Sequence, residues 1–143
     1  MFFRCDDPES ILKQLHGKKH LLVGNHDGSW IHKFDTAKYF KSVSHILETS
    51  DGAHAITLCH YLMLTWNHQR KSYMIHGHIH NNTEIDFWPL MIKRGNILNA
   101  GVDMNGFKPV PFDELIENNR VFVEDYLGST MRKAQAQDQL FGL

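Results

Sequence analysis

The amino-acid sequence predicts an α/β fold, a sheet flanked by helices, and three observations carry that expectation. Short apolar runs of strand length alternate with helix-compatible segments. The runs stop at glycine or at polar clusters, as strands do where they leave a sheet. Asn25, His26, Asp27, His60, His78 and His80 all fall at or just after such runs, which is where an α/β sheet gathers its functional groups.

Each element has its own signal. Asp7 is placed to cap a first helix, with Pro8 at the first helical position and Ile11, Leu12 and Leu15 on one face before Gly17. His20 to Val23 reads as a strand that stops at Gly24, and Asn25, His26 and Asp27 occupy the loop beyond it. Thr36 to Phe40 fits a brief helix. Val43 to Thr49 is a strand that turns at Asp51-Gly52 into a second strand, His54 to His60. Ser72 to His76 is the next strand and leads into the polar loop Gly77 to Asn82. A further strand is expected through Ile85, Phe87 and Trp88, ended by Pro89. Asn96 to Ala100 is the last strand, Gly101 to Pro111 a structured loop, and Asp113 to Asn118 a helix. Residues 124–143 are polar enough for an exposed helix or a disordered tail. No repeat or linker divides the chain, so one domain is expected over residues 1–143.

Composition excludes several function classes. With 42% hydrophobic residues over 143 positions the chain can bury an ordinary core. Its 15 basic and 16 acidic residues are interspersed, so no basic stripe marks a nucleic-acid partner. There is no apolar run long enough to span a bilayer, and Met1 to Asp7 lacks the pattern of a signal peptide, so a cytoplasmic protein without a membrane partner is expected. Cys5 and Cys59 form neither a disulfide framework nor a Cys-x-x-Cys zinc pattern. Histidine is the enriched reactive residue, with 11 copies.

Three separated segments place metal-capable side chains after strands: Gly24-Asn25-His26-Asp27, Cys59-His60-Tyr61 and His76-Gly77-His78-Ile79-His80. Asn contributes a carbonyl oxygen and His an imidazole nitrogen, a mixed set that suits Mn, Fe, Zn or Ni better than the oxygen-seeking Ca and Mg. Gly24 and Gly77 allow sharp turns directly after a strand, and extended geometry would send His78 and His80 to the same side.

Gly-Asn-His-Asp, then a lone His, then Gly-His-x-His resemble, in that order, the last three motifs of the calcineurin-like metallophosphoesterases. Asn99-Ala100-Gly101-Val102-Asp103 and Lys108-Pro109-Val110 look like the closing strand and loop of a small bacterial and phage branch of that family. The resemblance spans roughly residues 8 to 118. It implies a layered β-sandwich flanked by helices, with hydrolysis of phosphomonoesters or phosphodiesters by a metal-activated hydroxide. Asn25, His60 and His78 would hold one metal and His80 the other. His26 would face the scissile phosphate, oriented by Asp27.

One departure bears on activity. The family opens with Asp-x-His and a Gly-Asp whose carboxylate bridges two metals, and neither precedes Asn25. The expectation is therefore a member lacking its N-terminal βαβ portion. Four neutral ligands do not offset two dications about 3.5–4 Å apart, so at most one transition ion should bind tightly per chain. Hydrolysis should then be impaired in the isolated chain, and a catalytically inactive metal- or phosphate-binding remnant is the alternative. Strand 20–23 would also lose its neighbours, so self-association or a partner is expected over Leu21, Leu22, Val23 and the helix containing Ile11, Leu12 and Leu15.

Blander readings attach to single residues. Asn25 and Asp27 beside glycine are ordinary turn residues when taken alone, and His60 alone fits a satisfied core histidine. His16, His20, His32, His45, His54, His68 and His76 read as structural. Asp103 reads as a loop residue, with a supporting carboxylate as the alternative. Trp30, Trp66 and Trp88 read as core or pocket wall. An HNH-type nuclease would need a compact His-Asn-His hairpin, which has no place here.

Overall fold

The protein is described by a computed structural model, which covers residues 6–141, with side chains described through residue 135. The fold is mixed α/β with sheets and a C-terminal helix, as the sequence predicts at that level. It divides into two compact units, Met1–Ile79 and His80–Leu143. The reading of Met1 to Asp7 as lacking a targeting pattern rests largely on residues outside the described ones.

In the first unit, helix α1 spans Pro8–Gln14 and starts as expected: Asp7 accepts the Ser10 N–H at 3.1 Å and Pro8 occupies the first turn. Strand β1 (His20–Leu22) pairs in parallel with β2 (Ser42–Ser44), in the register Leu21 to Val43. Between them, residues 27–29 and 36–38 form single 3₁₀ turns, the second capped by Asp35 where a brief helix was expected. Leu12, Leu21, Trp30 and Phe40 make a buried cluster, with Val23, Ile31, Phe34 and Tyr39 packed against it. Trp30 stacks on Phe34 at 5.7 Å, and the Tyr39 hydroxyl donates to Glu9 at 2.7 Å.

The expectation is a strand 20–23 without its neighbours, and that cluster covers the face carrying Leu21. The connection between β1 and β2 folds back and buries Leu21 and Leu12, while Leu22 and Val23 stay half-buried and Ile11 and Leu15 are exposed. Local aromatic residues supply cover that strand order alone does not reveal.

The rest of the first unit is a sheet in the order β3-β4-β5. The single strand expected over Val43 to Thr49 is two, broken at His45: β2 joins β1, while β3 (Ile46–Ser50) forms the expected antiparallel hairpin with β4 (Ala55–Cys59), and β5 (Ser72–His76) runs parallel to β4. At the hairpin turn Gly52 has φ +97°, and Asp51 accepts the N–H groups of Ala53 and His54. Burial alternates with period two: Thr57 and Cys59 on β4 and Ser72, Met74 and His76 on β5 are buried. Both strands therefore end at a fixed facing, and the loops after them carry His60 and His78.

In the second unit the strand expected through Ile85, Phe87 and Trp88 is absent. The Trp88 N–H bonds the Ile85 carbonyl at 2.9 Å and the chain enters helix α2 (Trp88–Met91). Pro89 is the physical reason: it starts a helix, because its missing N–H is not needed in the first turn, where the sequence reading took it as a strand stop. Strand β6 (Ile97–Asn99) is wholly buried. A 3₁₀ turn over Val102–Met104 leads to α3, one helix over Phe112–Phe141. Helix α3 begins one residue before the expected helix and continues through the tail to Phe141. Its residues Phe122 and Tyr126 meet Trp88 edge to face. Among the described residues no helix is long and apolar enough to cross a membrane.

Candidate metal centre

The ends of β1, β4 and β5 deliver donor atoms to one place in the first unit. Beyond β1 the loop is braced by Asp27, only 3% exposed: one carboxylate oxygen accepts the Gly24 N–H at 2.8 Å and the other accepts the Trp30 indole N–H at 2.9 Å. This carboxylate anchors the turn to the core tryptophan, so that Asn25 projects from a fixed backbone.

Gly24 also makes room for His60. A Cβ at position 24 would lie 2.7 Å from Cγ and Cδ2 of His60 and 2.9 Å from Cε1. The imidazole therefore rests face-on against the glycine backbone, which no other residue type permits. The His60 carbonyl in turn accepts the N–H groups of Gly77 at 3.2 Å and His78 at 3.0 Å. These bonds join the turn after β5 to the end of β4 and fix where the His78 ring goes.

The result is a convergence of three donor atoms. The Nε2 of His60 lies 2.7 Å from the Asn25 Oδ1 and 3.1 Å from the His78 Nδ1. The Asn25 amide nitrogen donates to the His26 Nε2 at 3.1 Å, which turns the amide oxygen toward His60. A neutral imidazole nitrogen either donates or accepts, never both. If the His60 Nε2 carries a proton, that single proton is shared between two acceptors. If it does not, its lone pair faces a carbonyl oxygen. A dication resolves the conflict, since neighbouring ligands around one ion stand about 3 Å apart when bonds are about 2.0–2.2 Å.

Burial pushes the His60 imidazole below its ordinary range, and the adjacent His78 adds to that, while Asp27 opposes it. A depressed value keeps the ring neutral, which is the ligating form, to lower pH. His76, on β5, is 2% exposed, and among the described residues neither of its ring nitrogens has a hydrogen-bond partner. Burial, followed by the nearby His78 and His60, pushes it down to about 4.

All three donors predicted for the first metal are thus together. His26 and Asp27 flank them, His26 touching Asn25 and Asp27 holding the loop. Sequence reasoning missed Tyr61, whose ring centroid lies 5.1 Å from that of His60 and 4.8 Å from that of His78. Only its place beside His60 hinted at this. His80 opens the second unit. It has φ +52°, and its Nδ1 is 2.5 Å from the Asp103 carboxylate, a pairing that replaces the reading of Asp103 as a plain loop residue. Among the described residues no three or more His, Cys, Asp or Glu side chains gather as a metal-holding group. The cluster around Asn25 consists of an amide and two imidazoles, all neutral donors.

No family model matches the chain, and no curated protein matches it. Among solved structures it is similar to the crystal structure of the protein of unknown function AQ665 from Aquifex aeolicus. The two are 26% identical, with a TM-score of 0.57 over 81% of this chain and 70% of that one. The likeness supports the mixed α/β fold.

Proposed function

We propose that this chain is a metal-dependent phosphoester hydrolase with the layered sandwich of the calcineurin-like metallophosphoesterases, working slowly around one tightly held transition ion. The observation that carries the reading is the convergence of Asn25 Oδ1, His60 Nε2 and His78 Nδ1 at 2.7 and 3.1 Å, in the motif order Gly-Asn-His-Asp, His, Gly-His-x-His. Mn, Fe, Zn or Ni fits this nitrogen and oxygen set. Such an ion supplies a water of lowered pKa and charge neutralisation on the phosphoryl oxygens.

The chain's own groups have defined tasks in this account. Asn25, His60 and His78 would hold the ion, which would supply its chemistry to water and a phosphoryl oxygen. His26, set beside Asn25, is the group that binds the phosphate ester or moves a proton to its leaving oxygen. Asp27 keeps the loop that carries both residues in register. A second reading, ion or phosphate binding without turnover, is favoured by one observation: every donor in the cluster is neutral, so the site offsets little of a dication's charge.

Hydrolysis of bis(p-nitrophenyl) phosphate by the purified chain with added Mn²⁺ separates the two. The hydrolase reading expects slow turnover, below about 1 s⁻¹, that disappears in His60→Ala. Ion binding with no turnover beyond that of the variant leaves the second reading.

A further inference from the structure

The second unit holds a constellation that the cluster around Asn25 does not use. The Nδ1 of His80 lies 2.5 Å from the Asp103 carboxylate, and the His80 carbonyl accepts the Asn99 amide at 2.5 Å. The backbone at His80 sits at φ +52°, a conformation uncommon for non-glycine residues. Asn99, 3% exposed, holds that carbonyl from the end of β6. Asp103 is held just as firmly. It lies on the 3₁₀ turn whose capping residue, Gly101, donates to the Asn99 side chain at 2.8 Å, and the Gly101 carbonyl accepts from Asn105 at 2.8 Å. Asn105 accepts from Asn118 at 2.9 Å, while Asn119 accepts the Asn99 N–H at 2.7 Å and donates back to the Asn99 carbonyl at 3.1 Å.

Four asparagines thus lock together the two ends of one contact, the His80 backbone and the turn carrying Asp103. Apolar residues would stabilise this unit without the risk of unmet hydrogen bonds. What they would not do is fix the direction of one imidazole. The ring is nevertheless mostly open to solvent, with 66% of the side chain exposed against 26% for Asp103. A carboxylate on Nδ1 holds the proton there and leaves a lone pair on Nε2, the arrangement by which outer carboxylates orient metal-ligating histidines and raise their basicity.

We propose that Asp103 is the positioning residue of His80: it holds the ring in the Nδ1–H tautomer and presents Nε2 as a ligand for a divalent transition ion, with Asn99 fixing the backbone beneath it. This rests on the metallophosphoesterase reading for the use of His80, while the tautomer is a property of the chain by itself.

The test is nitrogen NMR of the ¹⁵N-labelled full chain, metal-free and above the histidine titration range. His80 is expected to carry its proton on Nδ1, the tautomer that a free imidazole side chain disfavours, and Asp103→Ala is expected to return it to Nε2–H. In a His60→Ala background, where the tighter ion is lost, Zn²⁺ titration followed at the His80 ring should weaken by about tenfold or more when Asp103→Ala is added. A wild-type His80 protonated on Nε2, or equal Zn²⁺ binding with and without Asp103, overturns the proposal. If His60→Ala keeps its tight ion while His80 keeps the Nδ1–H tautomer, the metal-centre reading fails and the positioning of His80 by Asp103 stands.

Discussion

The imidazole of His60 lies directly on the backbone of Gly24: a methyl group at that position would come within 2.7 Å of two ring carbons. In the candidate centre, the ring of a proposed ligand is therefore packed against a residue with no side chain. It makes the glycine of the first motif a condition for the histidine of the second.

Gly24→Ala should push the His60 ring away from Asn25 and His78. Overpacking of this kind costs about 1–3 kcal/mol in stability, but the larger effect should fall on the ion. We expect metal affinity to drop more than tenfold in calorimetric titration while urea denaturation still shows a cooperative fold. Unchanged affinity would mean that His60 does not ligate from this position.

Asp27 serves two buried donors at once, the Gly24 N–H and the Trp30 indole. Asp27→Ala leaves both without this acceptor, and with a cost of about 1–3 kcal/mol for each stranded group the loss should be on the order of 3 kcal/mol in urea melts. Asp27→Asn should lie between the wild type and Asp27→Ala, since an amide offers only one accepting oxygen.

His76 gives the metal-free chain an acid sensitivity of known sign. Its folded value of about 4 lies below the ordinary histidine value of 6.5, so the unfolded chain binds more protons between those two pH values. The stability contribution is present above pH 6.5 and is lost as pH falls toward 4, up to about 3 kcal/mol. Stability measured with EDTA across this range should fall steeply in the wild type and less steeply in His76→Phe. Parallel curves would show that the ring is not buried in neutral form.

Apart from the break at His45 that divides β2 from β3, the strand and loop order through residue 82 was legible because each signal there is local. Asp7 and Pro8 mark a helix start, Asp51-Gly52 marks a hairpin, and the apolar runs 20–23 and 72–76 end at glycine. The gathering of Asn25, His60 and His78 was legible for a different reason: an amide oxygen and two imidazoles each follow a strand end, although β1 lies in one sheet and β4 and β5 in another. Trp88 was misread because Pro89 both ends strands and starts helices, and the choice depends on packing against Phe122 and Tyr126, which are remote in sequence. The cover over Leu21 was missed because Trp30 and Phe40 show no periodicity that assigns them to it. The partnership of Asp103 with His80 spans 23 positions, and no short-range pattern encodes it.

The most direct test of the centre is the stoichiometry of ion binding to the metal-stripped chain. Titration with Zn²⁺, followed by calorimetry and by X-ray absorption at the metal edge, should give one tight ion per chain, with two imidazole nitrogens and an oxygen in its shell at about 2.0–2.2 Å. That ion should be lost in His60→Ala and weakened in Asn25→Ala. Two tight ions per chain, or one that survives His60→Ala unchanged, would contradict the account.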